Sequence, residues 1–134
     1  MLEPESFVRS IAFAIIYAGI EYRYVNRSES GWTKQIEGFY EKPAFWVISP
    51  YQAYLLLPLF VAAAFSLSVM AWAANTFLIA VLEDIAYFGW RGKSVVAGEW
   101  TTTLFGSFSV GKWVIPVWWP MDLLVILVLY LIPF

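Results

Sequence analysis

The chain has 134 residues, of which 61% are hydrophobic and 13% are charged, and its formal net charge is -2. This composition lies outside the range of ordinary soluble domains and predicts an all-α integral membrane protein with a single transmembrane domain over residues 1–134. Because the chain has no His and no Cys, it cannot by itself form a disulfide, a thiolate or imidazole zinc site, or a Ser-His-Asp or Cys-His triad.

The first predicted element is a membrane-spanning helix over residues 5–24. Pro4 suits the first position of a helix, and Glu3 and Glu5 suit the positive end of the helix dipole. Apolar residues then fill positions 11–20. We therefore expect a helix that begins near Pro4 and crosses the bilayer once.

A polar stretch follows, and part of it has helical periodicity. The apolar positions recur at helical spacing after Ser30, and they are Trp32, Ile36, Phe39 and Tyr40. This pattern predicts an amphipathic helix on the membrane surface between the first two spans, with those side chains facing lipid or a partner. The alternative is an aromatic-rich loop packed under a neighbouring subunit.

The apolar block over residues 51–90 is too long for one crossing. As a single helix it would measure about 60 Å, roughly twice the hydrocarbon thickness of a bilayer. We place a break at residues 72–76, where Asn75 and Thr76 are compatible with a turn, which gives spans at 51–72 and 76–90. A kink at Pro58 is the alternative.

A second polar stretch, residues 91–112, contains β-branched residues and several glycines, which favour extended or hairpin-like structure. The glycine spacing matches neither a P-loop nor a dinucleotide-binding fingerprint. The fourth predicted span covers residues 113–134, and its first turns are expected to be irregular because of Pro116 and Pro120. Asp122 is expected to stabilise the opening turn of this helix. The expected interfacial anchors are Trp113, Trp118 and Trp119.

The distribution of basic residues favours four spans over three. With four spans, one side of the membrane carries all Lys and Arg residues except Arg9, whereas three spans divide the eight residues equally. The residues on the common side are Arg23, Arg27, Lys34, Lys42, Arg91, Lys93 and Lys112. Because basic residues accumulate on the cytoplasmic side, we predict a multi-pass protein of the cell membrane with both termini outside and loops 25–50 and 91–112 in the cytoplasm.

The predicted site is an acidic pair within an apolar segment. Each of Glu83 and Asp84 would cost about 2.5 to 3.5 kcal/mol if it were charged near the centre of a bilayer. On a helix, Glu83, Tyr87 and Arg91 share one stripe. The pair, together with these neighbours and Asp122, is thus a candidate site for a proton or a hard cation. The alternative is a structural pair near the interface, hydrogen-bonded to a loop or another subunit.

The segment Glu83-Asp84-x-x-Tyr87-Phe88, followed later by Ile115-Pro116 and aromatic residues, resembles a pattern found in small uncharacterised polytopic membrane proteins of archaea and bacteria. The resemblance covers about residues 75–122 and implies an α-helical membrane protein without an assigned activity. Relatives often carry His in the later segment. This chain lacks it, which counts against a metal centre.

Three classes of function remain open from the sequence. The first is a non-catalytic structural or accessory subunit of a larger membrane complex, for example a respiratory or membrane-bound oxygenase complex. The second is a proton- or cation-coupled transporter, built as a self-oligomer, that uses Glu83 and Asp84. The third is a membrane-embedded lipid-modifying enzyme with the same carboxylates as metal ligands or as general acid and base. We expect contact with the lipid bilayer, and no cofactor, resident metal or nucleic acid.

Overall fold

The computed structural model describes residues 3–25, 52–97, 99–103 and 105–132, and these residues are mostly helical. The described elements are α1 (Pro4–Ile20) with a π-helical continuation (Glu21–Val25), a second π-helical turn (Gln52–Leu56) that leads into α2 (Leu57–Ala63), α3 (Val69–Arg91), α4 (Trp100–Thr103), β1 (Ser107–Val110), β2 (Trp113–Pro116) and α5 (Trp118–Leu131). The predicted predominance of helix is confirmed. The fold is not all-α, however, because β1 and β2 pair. The predicted surface helix with Trp32, Ile36, Phe39 and Tyr40 lies outside the described residues.

Helix α1 begins at Pro4, as predicted, and packs through a stripe of small side chains. Close approach continues at Gly19, where an added Cβ would lie 2.9 Å from the indole ring of Trp90 in α3. The indole N–H of Trp90 donates to the carbonyl of Ile15 at 2.8 Å. The buried positions of α1 recur every four residues and therefore share one face, and they are Ser6, Ser10, Ala14 and Ala18.

The break between the second and third predicted helices lies at residues 64–68, so its predicted position at 72–76 is wrong. Ser68 has an extended backbone, and its hydroxyl accepts a hydrogen bond from the Ala71 N–H at 3.3 Å, which caps the start of α3. Ser66 donates to the carboxylate of Glu3. One serine therefore caps α3 and another binds the start of α1, within a stretch that composition alone marks as continuously apolar.

Residues 72–76 remain helical because Asn75 binds three other segments of the chain. Its side chain is completely buried. The amide nitrogen donates to the hydroxyl of Ser6 in α1 at 3.0 Å and to the carbonyl of Ala64 at 3.2 Å. The amide oxygen accepts from the hydroxyl of Tyr130 in α5. The asparagine expected to mark a turn is instead a tertiary contact inside a helix.

Arg9 closes the C-terminal end of α2. Its Nε donates to the carbonyl of Ala63 at 3.2 Å, and its Nη2 donates to the carbonyl of Phe65. The last carbonyls of a helix have no partner within the helix and carry the negative end of its dipole, so a guanidinium is well suited to bind them. This contact gives Arg9 a structural role. With four spans, Arg9 is the basic residue predicted to lie on the opposite side of the membrane from all the other Lys and Arg residues.

Among the described residues, α3 is the helix that is long and apolar enough to cross a membrane. It has 23 residues, a length of about 34 Å, and its most apolar window has a mean hydropathy of 1.5. It ends at Gly92, whose φ of 74° suits a left-handed C-cap. The central helix of a soluble protein would meet the same criteria of length and hydropathy. The four predicted crossings therefore stay a prediction.

The extended structure predicted for the second polar stretch is confirmed in part, because Ser107–Val110 form the first strand of an antiparallel hairpin while Trp100–Thr103 form the short helix α4. Val110 pairs with Trp113 across a two-residue turn in which Gly111 has a φ of 61°. The hairpin includes residues 113–116, so the predicted start of the fourth helix at Trp113 is wrong. Helix α5 begins at Trp118 instead, after Pro116 has closed the second strand.

Two apolar clusters lie on opposite sides of α3. The first joins α1, α2 and α3 and contains Ala14, Leu56, Phe60, Ala64 and Ile79. The second joins α3 and α5 and contains Leu78, Val81 and Ile126. Helix α3 is therefore the central helix of the described fold.

The contacts between helices define an up-and-down arrangement. Helices α1 and α3 are parallel, since Ser6 contacts Asn75 and Tyr22 contacts Tyr87. Helices α2 and α5 run antiparallel to them. We call the end that contains Glu3, Asn75 and Tyr130 the Asn75 end, and the end that contains Asp84, Trp90 and Trp119 the Asp84 end. The start of α1 and the end of α5 both lie at the Asn75 end.

Candidate functional site

The carboxylate of Asp84 joins three elements at the Asp84 end. Its Oδ2 accepts a hydrogen bond from the hydroxyl of Thr101 in α4 at 2.5 Å and another from the indole N–H of Trp119 in α5 at 2.8 Å. The indole N–H of Trp118 donates to the same Thr101 hydroxyl at 2.9 Å. Asp84 therefore fixes the polar segment after α3 against the start of α5.

Glu83 faces a different neighbour, because adjacent residues of a helix point about 100° apart. Its side chain is 5% exposed, and its Oε1 has no hydrogen-bond partner among the described residues. The carboxyl of Glu21, in the π-helical continuation of α1, is an acidic neighbour of Glu83. The predicted acidic pair is thus divided between two contacts, Asp84 with α4 and α5 and Glu83 with the end of α1.

Within the predicted stripe, Glu83 and Tyr87 lie toward the end of α1, and Arg91 does not join them in one polar site. The ring of Tyr87 lies 5.8 Å from the ring of Tyr22 in an edge-to-face arrangement. Arg91 is turned toward the polar segment beyond α3, where it forms an ion pair with Glu99. Arg91, which was predicted as a distant partner of the acidic pair, is therefore paired with Glu99 instead.

The ion pair of Arg91 and Glu99 organises the turn that follows α3. Arg91 Nη2 donates to the carbonyl of Ser94 at 2.8 Å, and Glu99 Oε2 accepts from the backbone N–H of Val96 at 2.8 Å. The guanidinium also lies 4.5 Å from the centre of the Phe88 ring. The hydrogen bond from Arg91 holds the pKa of Glu99 below its usual value of 4.5. Sequence reasoning missed Glu99 because its partner lies eight residues away, beyond the end of the helix.

Asp122 is not in the opening turn of α5, so its predicted role there is wrong. The helix begins at Trp118, which makes Asp122 its fifth residue. Its Oδ2 is buried and has no hydrogen-bond partner among the described residues. Pro120, which was expected to make the first turns irregular, is accommodated within the first turn of α5, where a missing N–H costs no intrahelical bond.

The predicted aromatic anchors divide into one exposed and two inward-facing residues. Trp113 is 54% exposed, and Lys112 Nζ lies 5.4 Å from the centre of its ring. Trp118 and Trp119 are half-buried, and both indole N–H groups bind inside the fold. Trp113 has the exposure expected of an interfacial anchor, while Trp118 and Trp119 connect α5 to α3 and α4.

Within residues 3–25, 52–97, 99–103 and 105–132, no three Asp or Glu side chains are arranged to hold a metal ion. Comparisons of the chain with protein-family models, with curated proteins and with solved structures gave no match. The resemblance carried by Glu83-Asp84-x-x-Tyr87-Phe88 therefore stays a prediction.

Proposed function

We propose that this chain is a multi-pass, non-catalytic subunit of a membrane assembly, and that it packs its apolar helix faces against lipid and neighbouring subunits. The observation that carries the proposal is the exposure of α5, which has 14 residues and buries only Ile126. The exposed large apolar residues of this helix are Met121, Leu123, Leu124, Val125, Leu127, Val128 and Leu131. A surface of this kind is unfavourable in water and suits a lipid or protein environment.

The other helices add to this apolar surface. Val8 and Ile16 of α1 are each 62% exposed, and Leu67, beside the break, is 89% exposed. With its π-helical continuation, α1 covers 22 residues, which is about 33 Å and matches the hydrocarbon thickness of a bilayer. These features support an arrangement in which α1 and α3, together with the shorter apolar helices α2 and α5, lie across the membrane.

The direction of the helices supports the predicted topology. The start of α1 and the end of α5 share the Asn75 end, and the hairpin follows α3 at the Asp84 end. Four antiparallel crossings would place the termini on one side and residues 25–50 and 91–112 on the other. The positive-inside rule then assigns the Asp84 end to the cytoplasm. Arg9, the basic residue on the opposite side, is bound to the carbonyls that end α2.

The contacts of Asp84 favour a structural over a catalytic role. Its Oδ2 accepts from both Thr101 and Trp119, so this carboxylate serves to hold α3, α4 and α5 together. The opposite end is held in the same way by Asn75. A small fold whose helices are held together by hydrogen bonds at both ends, and whose outer faces are apolar, is well suited to pack against other subunits.

The experiment is gentle detergent extraction from the native membrane, followed by native mass spectrometry of the particles that contain the chain. We expect the chain to travel with other membrane proteins in a fixed stoichiometry. Leu124→Trp and Val128→Trp enlarge one stripe of α5 and should reduce the amount of bound partner. Val8→Trp and Ile16→Trp test the exposed face of α1 in the same way. A wild-type chain that is extracted only as a monomer would contradict the proposed function.

A further inference from the structure

A groove at the Asp84 end lies between the last turns of α3 and the second strand of the hairpin. Its volume is about 830 Å³, within the range of about 300 to 1,000 Å³ that is typical of small-molecule sites. Aromatic and aliphatic side chains form most of its walls, and they include Ile85, Phe88, Trp113, Ile115 and Trp119. Walls of this kind suit a hydrocarbon chain.

The aromatic wall of the groove is held in place by contacts of its own. The indole N–H of Trp119 donates to the carboxylate of Asp84 at 2.8 Å, which fixes the orientation of the ring. The centre of this ring lies 6.1 Å from the centre of the Phe88 ring. The guanidinium of Arg91 lies 4.5 Å from the centre of the same Phe88 ring. The groove is therefore a preformed feature of the junction between α3 and α5.

A glycine within α3 keeps the groove open. Gly89 lines the groove two residues before the end of the helix, and its φ is not positive, so its backbone conformation does not require a glycine. Glycine destabilises a helix relative to alanine. Apart from the local helix itself, no described residue lies within 4 Å of a Cβ added at Gly89, whereas Gly19 makes room for the indole ring of Trp90. Packing within the described fold therefore does not explain Gly89, but an occupant of the groove does.

The lining of the groove changes from apolar to polar along α3. Ile85 and Gly89 lie on the helix, and Lys93 and Ser94 line the groove just beyond its end. Of the described residues that line the groove, Lys93 carries the only charge, and no described carboxylate pairs with it. An ammonium group at the end of an apolar groove favours a ligand in which an anion is joined to a hydrocarbon chain.

We propose that this groove binds one anionic phospholipid, with an acyl chain along Phe88, Gly89 and Trp119 and the phosphate at Lys93. A soluble anion would leave the apolar walls without contacts, and a zwitterionic lipid would bring its own cation close to Lys93. The proposal rests on the membrane location proposed above, which places the Asp84 end at the cytoplasmic surface, where anionic lipids give the membrane its negative potential. It does not require partner subunits.

The test is native mass spectrometry of the purified protein in mild detergent, with phosphatidylglycerol and phosphatidylcholine that carry identical oleoyl chains. We expect one phosphatidylglycerol to bind, about fivefold more tightly than phosphatidylcholine. In Lys93→Gln the two lipids should bind alike. Lys112→Gln is the matched control and should keep the preference, because Lys112 lies in the hairpin turn and does not line the groove. Equal binding of the two lipids to the wild type, or an equal loss of preference in both variants, would overturn the proposal.

Gly89→Leu tests whether the lipid lies in the groove itself. The leucine should enter the groove without meeting the rest of the described fold, so binding of phosphatidylglycerol should fall about tenfold while the melting temperature is maintained. Gly89→Ala adds a single methyl group and should keep most of the binding. Undiminished binding to Gly89→Leu would overturn the proposal. A lower melting temperature for Gly89→Leu than for Gly89→Ala would also overturn it, because the chain itself would then fill the groove.

The need for detergent is recorded in the same preparation. A chain that stays in solution without detergent would contradict the membrane location, and with it both the lipid site and the proposed function. A chain that needs detergent but shows no preference between the two lipids would overturn the lipid site alone.

Discussion

Replacing Asn75 with alanine should destabilise the protein by removing three tertiary hydrogen bonds at once. The lost partners are Ser6, the carbonyl of Ala64 and the hydroxyl of Tyr130. At about 0.6 kcal/mol for each side-chain hydrogen bond within a membrane, or about 1 kcal/mol in a soluble protein, we expect a loss of about 2 to 3 kcal/mol. The higher value applies if the carbonyl and the hydroxyl stay buried without partners.

Two variants separate these hydrogen bonds from other effects of the substitution. Asn75→Leu fills the space left by the amide and keeps the helix, so a destabilisation that persists in this variant comes from the lost hydrogen bonds. Thr76→Ala is the matched control at the next position. Among the described residues its hydroxyl donates to the carbonyl of Trp72 in the same helix, at 3.0 Å, and its loss should cost well under 1 kcal/mol.

The assay is the free energy of unfolding of the purified protein in mild detergent, followed by tryptophan fluorescence, for which the chain has eight Trp residues. We expect Asn75→Ala and Asn75→Leu to unfold at lower denaturant than the wild type, and Thr76→Ala to unfold close to it. If Asn75→Leu were as stable as Thr76→Ala, the view that Asn75 joins three segments at this end of the fold would be wrong.

Three further predictions concern the Asp84 end of the fold. Gly19→Ala should lower the free energy of unfolding by about 1 to 3 kcal/mol, because the new methyl group would clash with the indole ring of Trp90 in α3. Gly89→Ala, which has open space around it, should gain about 0.5 to 1 kcal/mol, and thermal melts compare the two. The lowered pKa of Glu99 means that its pairing with Arg91 stabilises the fold above pH 4.5 and loses this effect as the pH falls through the lowered value. The stability difference between wild type and Glu99→Gln should therefore shrink on acidification, and a difference independent of pH would refute the pairing. Asp84→Asn should lose about 1 to 3 kcal/mol because a hydroxyl and an indole donor lose a charged acceptor, and unchanged unfolding would contradict its structural role.

Features of the fold that depend on neighbouring residues could be predicted from the sequence. Pro4 marked the start of α1, and the β-branched residues and glycines of the second polar stretch marked the hairpin. In both cases the signal and the structure lie within a few residues of each other. The apolar residues around Glu83 are visible in the sequence, but they left open whether this acid is buried or lies near the interface.

Features that depend on distant contacts could not be predicted in this way. Asn75 is compatible with a turn in isolation, and only its contacts with α1 and α5 show why it is helical. Ser66 and Ser68, which lie at the break in the apolar block, are small residues among large apolar ones. Hydropathy averaged over a window of residues therefore stays high across them. The proximity of Glu21 to Glu83 depends on the parallel packing of α1 and α3, which the sequence does not show.

The most direct test of the membrane account is the accessibility of single cysteines, since the natural chain has none. Lys34→Cys, Lys93→Cys and Glu5→Cys would each be exposed to a membrane-impermeant maleimide in sealed vesicles of both orientations. The account predicts that positions 34 and 93 are labelled only from the cytoplasmic side and position 5 only from the other side. Labelling of positions 34 and 93 from opposite sides, or release of the chain from vesicles without detergent, would contradict four crossings of a membrane.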